Sequence, residues 1–177
     1  MSNNLNTKAA QLNALAKEVQ GLVNIAKKNA NTAVNAPNAV AALPNALVAV
    51  NAANAANKKA VQAQNVAEQA GINPATNTNV QRAANGAVSA ANATAVMANN
   101  LAAKAVGTAT IQPTATINKG ATASVNAATT STNGAVSGNT KMANNAAKKA
   151  AIEAAKVSAN STPAANKAGN NMAKIIK

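Results

Sequence analysis

Between residues 39 and 70 the chain reads AVAALPNALVAVNAANAANKKAVQAQNVAEQA, and one row of alanines runs the length of it: Ala39, Ala42, Ala46, Ala49, Ala53, Ala56, Ala60, Ala63, Ala67 and Ala70. The steps alternate between three and four residues, which lays these methyl groups along one edge of an α-helix. A half-buried strand would alternate every second residue instead. Pro44 falls inside the register. Its fixed φ and missing N–H suit a first helical turn, so the stretch predicts a helix beginning at Pro44 and ending at Gly71, with Pro74 as a second stop. Small side chains let two helix axes approach to about 8 Å or closer, so that dispersion contact replaces large side chains.

The same rhythm recurs on both sides. Downstream, Val80, Ala84, Ala87, Ala91, Thr94, Ala98, Leu101 and Ala105 continue it, with Asn77 or Thr78 as a start signal and Gly107 just past the end. Upstream, Leu5, Leu12 and Val19 fall seven apart with Leu15 and Leu22 interleaved, predicting a helix from about Asn4 to about Asn29. Toward the C-terminus Ala143, Ala147, Ala150, Ala154 and Val157 predict a helix from Lys141 to about Ala159, and Pro163 separates it from a short tail with an apolar patch at Met172, Ile175 and Ile176. The expected fold is all-α, with three to four alanine-seamed helices in an antiparallel bundle or in extended helical hairpins. The expected packing seam comprises Ala46, Ala49, Ala53, Ala56, Ala60, Ala63, Ala67 and Ala70, then Ala84, Ala87, Ala91 and Ala98.

One region departs from this pattern. Thr108-Ala109-Thr110-Ile111-Gln112-Pro113 is followed by Thr114-Ala115-Thr116-Ile117-Asn118-Lys119, and Ser, Thr, Asn and Gly dominate as far as Thr140. Alternating Thr and Ile favour extended chain, and the composition suits a linker. The expected organisation is therefore a helical region over 1–107, an irregular or β-like linker over 108–140, and a basic helical tail over 141–177.

Composition argues against an enzyme. The chain has no His, Cys or aromatic residue, and its acids are Glu18, Glu68 and Glu153, on three separate predicted helices. General acid–base catalysis, paired-carboxylate chemistry and the common metal sites each need groups missing from this inventory. We expect no catalytic residues, no metal or other cofactor and no small-molecule substrate. Alanine supplies most of the 48% hydrophobic content. A methylene is worth only about 0.8 kcal/mol on burial, so the sequence predicts that association with other chains adds to stability. The N-terminal residues lack the apolar core of a signal peptide, and no uninterrupted apolar run reaches transmembrane length. The expected location is intracellular or within a virus particle.

The charge is +13 over 177 residues. Counted from the alanine rows, Lys58, Lys59, Arg82, Lys104, Lys141, Lys148, Lys149 and Lys156 point away from the seams. The expected contacts to an anionic partner are Lys27, Lys28, Lys58, Lys59, Arg82, Lys141, Lys148, Lys149, Lys156, Lys167 and Lys174. With no aromatics to stack on bases and one arginine, any nucleic-acid contact would go to phosphate and ignore sequence. Lys148-Lys149-Ala150-Ala151 and Ala164-Ala165-Asn166-Lys167 resemble, in composition, the alanine–lysine tails of linker-histone-like DNA-compacting proteins. That resemblance implies a sequence-independent compacting role. The Ala/Asn-rich, aromatic-poor, basic character is similar to that of minor or internal virion proteins. Type I antifreeze proteins share the alanine-rich helix, but the threonine ladder they carry is missing here.

The leading expectation is a non-enzymatic structural or assembly protein. It packs through alanine seams into a larger complex, of its own or other chains, and sets a basic face against nucleic acid or acidic surfaces. The alternatives are a DNA-compacting protein, or an amphipathic binder of anionic membrane, for which alanine faces are too weakly apolar.

Overall fold

The computed structural model describes residues 2–175, with side chains over 5–161. It is all-α. Five helices follow in order: α1 (Ser2–Val34), α2 (Ala39–Gln69), α3 (Thr78–Ile111), α4 (Ala115–Val136) and α5 (Thr140–Ile175). Short connections make successive helices antiparallel, so α1, α3 and α5 run one way and α2 and α4 the other. α3 is the axis of the molecule and touches all four others, whereas among the described residues α1 meets neither α4 nor α5, and α2 does not meet α4.

The helix starts follow side-chain capping chemistry. Asn38 accepts from the Ala41 N–H, Asn77 from those of Asn79 and Val80, Thr114 from that of Ile117, and Asn139 from that of Met142. Each satisfies a first-turn donor that the helix cannot. At the end of α2, Gly71 takes φ +68°, the Ile72 N–H reaches the Ala67 carbonyl and the Gly71 N–H reaches that of Glu68. This is the Schellman arrangement, which favours glycine because a Cβ would be strained there.

Several expectations are corrected. α2 begins at Ala39, a turn and a half before Pro44, because the Asn38 cap and the burial of Ala39 and Ala42 hold a first turn that proline alone would not start. α1 runs past Asn29 to Val34, where Ala30 and Ala33 are buried. α3 passes through Gly107 and stops only before Pro113, while α5 continues through Pro163. The largest correction is the supposed linker. Residues 115–136 form α4, so the helices number five rather than three or four. Its threonines do not compete with the helix, because Thr122, Thr129, Thr130 and Thr132 each donate to the carbonyl four residues back.

The interior is alanine-dominated, with few large side chains fully buried: Leu12, Met97, Leu101, Ile117, Val19, Val23, Val50 and Val157 lead by volume. One cluster joins α1, α2 and the first half of α3, where Leu12, Leu15, Val19 and Val23 face Ala53, Ala56, Ala60, Ala63, Val80, Ala83 and Ala87. A second gathers parts of all five helices around Met97, Leu101, Ile117 and Val157, and a small third joins Ala91, Ala95, Ala135 and Ala143. A buried polar link crosses between α3 and α5, where Thr94 Oγ1 lies 3.0 Å from Asn144 Oδ1.

Candidate anion-binding surface

The predicted seam alanines lie inside this single chain. Ala46, Ala49, Ala53, Ala56, Ala60, Ala63 and Ala67 are buried, as are Ala87, Ala91 and Ala98; Ala70 is half-buried. Ala84 is exposed, and its neighbour Ala83 is buried in its place against the α1–α2 pair. Their helix neighbours within the chain already cover these methyl groups. Any surface for a partner must be sought elsewhere.

The cations are on the outside. Lys27, Lys28, Lys58, Arg82, Lys141, Lys148, Lys149 and Lys156 are exposed and Lys59 is half-exposed; Lys167 and Lys174 lie outside the residues whose side chains are described. Lys104 is the exception to the outward reading. It is half-buried, and its ammonium donates to the Val34 and Ala36 carbonyls at the end of α1, the former at 2.8 Å. There it meets orphan carbonyls and the negative end of the α1 dipole.

The three glutamates are all engaged. Glu18 pairs with Lys59 at 2.7 Å, Glu153 with Lys156 at 2.8 Å, and Glu68 accepts from the Gln64 amide at 3.1 Å. Among the described residues these are the two ion pairs of the molecule. The other lysines whose side chains are described have no carboxylate partner among the described residues.

α5 organises that charge. Lys141 and Lys148 are seven residues apart, as are Lys149 and Lys156, so each pair forms a row two turns long, about 10.5 Å between Cα positions. The first row borders α2. Lys58 and Lys141 line a groove of about 300 Å³ there, with the amides of Asn54, Asn57 and Asn145 and no acid. The Thr140 hydroxyl donates to Asn57 Oδ1 at 2.6 Å, which engages that carbonyl oxygen and leaves the amide NH₂ as Asn57's donor toward the groove. The second row borders α4. Lys119, Lys149 and Lys156 line a groove of about 270 Å³ with Glu153, floored where Gly120 meets Val157.

The structure thus brings Lys58 together with Lys141, and Lys149 with Lys156. It adds Lys119 and the three asparagines, which the sequence pattern does not single out. Lys119 falls in the supposed linker, and Asn54 and Asn57 are neighbours of the Lys58 turn that only an α2–α5 contact makes part of a groove. Lys27 and Lys28 stand apart on α1, which does not meet α5. Arg82, on α3, donates to Asn79 Oδ1 at 3.4 Å.

α2 is also, by length and composition alone, a helix apolar enough to cross a membrane, which no uninterrupted run in the sequence suggests. Its alanine edge is packed against α1, α3 and α5. Comparison with protein-family models, with curated proteins and with solved structures gave no match.

Proposed function

We propose that this protein is a non-enzymatic packing protein that lays its α5 surface on a phosphate-bearing polymer, nucleic acid being the fitting class, without reading sequence. The observation that carries the reading is the α2–α5 groove, where Lys58 and Lys141 converge with three amides and no carboxylate. Magnitude decides between a small anion and a polymer. At about 4 Å in water a unit charge pair is worth about 1 kcal/mol, so two exposed lysines fall short of the roughly 4 kcal/mol that even millimolar binding requires. A polymer that engages both α5 rows together adds such contacts and releases counterions at each. With no aromatic side chain and one arginine, the chain has little with which to read bases.

Binding of a short fluorescent DNA duplex across a salt series tests this. We expect affinity to fall steeply between about 50 and about 200 mM salt. Replacing Lys58, Lys141, Lys148 and Lys149 with glutamine should lower the log–log slope by up to about 0.9 for each phosphate no longer neutralised. The pair Lys27→Gln and Lys28→Gln, on the far side, should change it little. Equal weakening per charge at both places would favour a diffuse, charge-only compacting polymer over an α5 surface. No binding at low salt would end the nucleic-acid reading.

A further inference from the structure

The face formed by the second half of α3 and by α4 differs from the rest of the surface. Along α3 its exposed stripe is Val96, Asn99, Ala103, Val106 and Thr110, and beside it, antiparallel, run Val136, Thr129, Val125, Thr122 and Asn118 of α4. The two stripes are tied by the Asn99 amide, which donates to Thr132 Oγ1 at 3.0 Å. Neither stripe carries a charge. The one lysine of α3 beyond residue 95 is Lys104, turned to the end of α1, and the one of α4 is Lys119, in the α4–α5 groove.

Its polar groups are also largely spent at home. Thr110, Thr122 and Thr129 donate to the carbonyls of Val106, Asn118 and Val125, and Asn100 beside them donates to that of Val96. Covering such groups costs little, because their hydrogen bonds survive. The valines are left uncovered: Val96 is 59% exposed and Val136 83%.

We infer that this face is a docking surface for a second copy of the same chain. Charge selects that occupant. At +13, two copies meeting through their α5 surfaces set lysines against lysines, whereas here they meet without a free cation on either. Shape agrees. At one end Val96 and Val136 stand out together, and at the other Val106, Thr110, Thr122 and Val125 border a groove of about 360 Å³. The two ends are ten residues apart along α3, about 15 Å. A twofold axis through the middle, near Ala103, places each copy's valine pair over the other's groove, the self-complementary pattern of an isologous dimer. Two helix widths by four turns is about 400 Å² per copy, about 800 Å² in all, which is the range of weak, reversible association.

This inference does not depend on the anion-binding reading, and salt separates the two. Added salt weakens phosphate contacts but screens the repulsion between copies, so the dimer tightens. Sedimentation velocity over a concentration series at low and high salt should show a reversible monomer–dimer equilibrium, at least threefold tighter at high salt. Val96→Lys with Val125→Lys should weaken it at least tenfold with helicity unchanged, since both side chains are exposed. Because the chain has no cysteine, Ala103→Cys should oxidise to a covalent dimer under conditions in which Lys27→Cys does not. A chain that stays monomeric at high salt up to millimolar concentration overturns the proposal. So does a dimer indifferent to the two lysines, or equal cross-linking from both cysteines.

Discussion

The two ends of the molecule bring helices together by different chemistry. At the α1 end Leu12, Leu15, Val19 and Val23 fill the space opposite the alanine edge of α2 and opposite Val80, Ala83 and Ala87 of α3. Large side chains on one helix meet small ones on its neighbours, and Gly86 gives way to Val19, whose Cγ1 would stand 2.7 Å from a Cβ placed there. In the α4–α5 hairpin the large buried side chains are Ile117 and Val157, at the end away from the turn, where Val157 meets Gly120; toward the turn small residues take over. Gly120, Ser124, Ala127, Ser131 and Gly134 of α4 repeat the four–three rhythm with glycine, serine and alanine. The Ser124 and Ser131 hydroxyls donate to the Ala150 and Ala143 carbonyls of α5, at 2.9 and 2.8 Å. The first arrangement rests on apolar burial. The second rests on backbone proximity and side chain–backbone hydrogen bonds.

The largest effect expected from this contrast is at Leu12, which is fully buried. Leu12→Ala removes one of the few large side chains from a core built of alanine, and neighbours that are already small cannot close the gap. We expect a loss of about 3 kcal/mol, within the range for such truncations. Urea unfolding followed by far-UV circular dichroism measures it, the chain having no aromatic residue to serve as a fluorescence probe. A loss under about 1 kcal/mol would mean that the leucines and valines of α1 do not hold this end.

Two glycines sharpen the other side. A Cβ at Gly134 would lie 2.7 Å from the Ala143 nitrogen and 3.0 Å from its Cα, and backbone cannot step aside as a side chain can. Gly134→Ala should therefore cost about 2 kcal/mol net, overpacking outweighing the roughly 1 kcal/mol that alanine gains over glycine in a helix. Gly107, also within a helix, would meet nothing within 4 Å. Gly107→Ala should stabilise by up to about 1 kcal/mol. Opposite signs in the same unfolding assay support the close approach; equal signs would break it.

This difference also explains what is legible in the sequence. The all-α class follows from the period of the apolar residues, and the residues picked out between 39 and 67 are buried because that helix has neighbours along one edge. In α3 the same counting selects Ala84 over Ala83. With alanine at both positions, composition cannot say which way a helix touching four neighbours turns. α4 stays hidden as long as only alanine is counted as small. Ile117, Ala121, Ser124, Ala128, Ser131 and Ala135 form an unbroken four–three row, and all are buried. Serine and glycine mark a loop when their backbone is exposed, and a close helix contact when they recur at this spacing. The α2–α5 groove is out of reach for a different reason. Lys58 and Lys141 are brought together only by the long-range packing of α2 on α5, which no local pattern encodes.

The smallest expected effect asks which property of the hairpin serines matters. Ser131→Ala removes the hydroxyl bonded to the Ala143 carbonyl but preserves the small volume, and that carbonyl can keep a helical partner, so no buried acceptor is orphaned. A neutral hydrogen bond contributes about 1 kcal/mol, and alanine returns about 0.5 kcal/mol in helix propensity, so the net loss should be about 0.5 kcal/mol. The same change at Ser124 should match it, and the double variant should be additive, because the two sites lie two turns apart and share no partner. A loss near 2 kcal/mol at either site would mean that the hydroxyls themselves, more than the closeness that glycine and alanine permit, hold α4 against α5. The two ends of the molecule would then differ in the kind of bond they rest on and not only in the size of the side chains that make it.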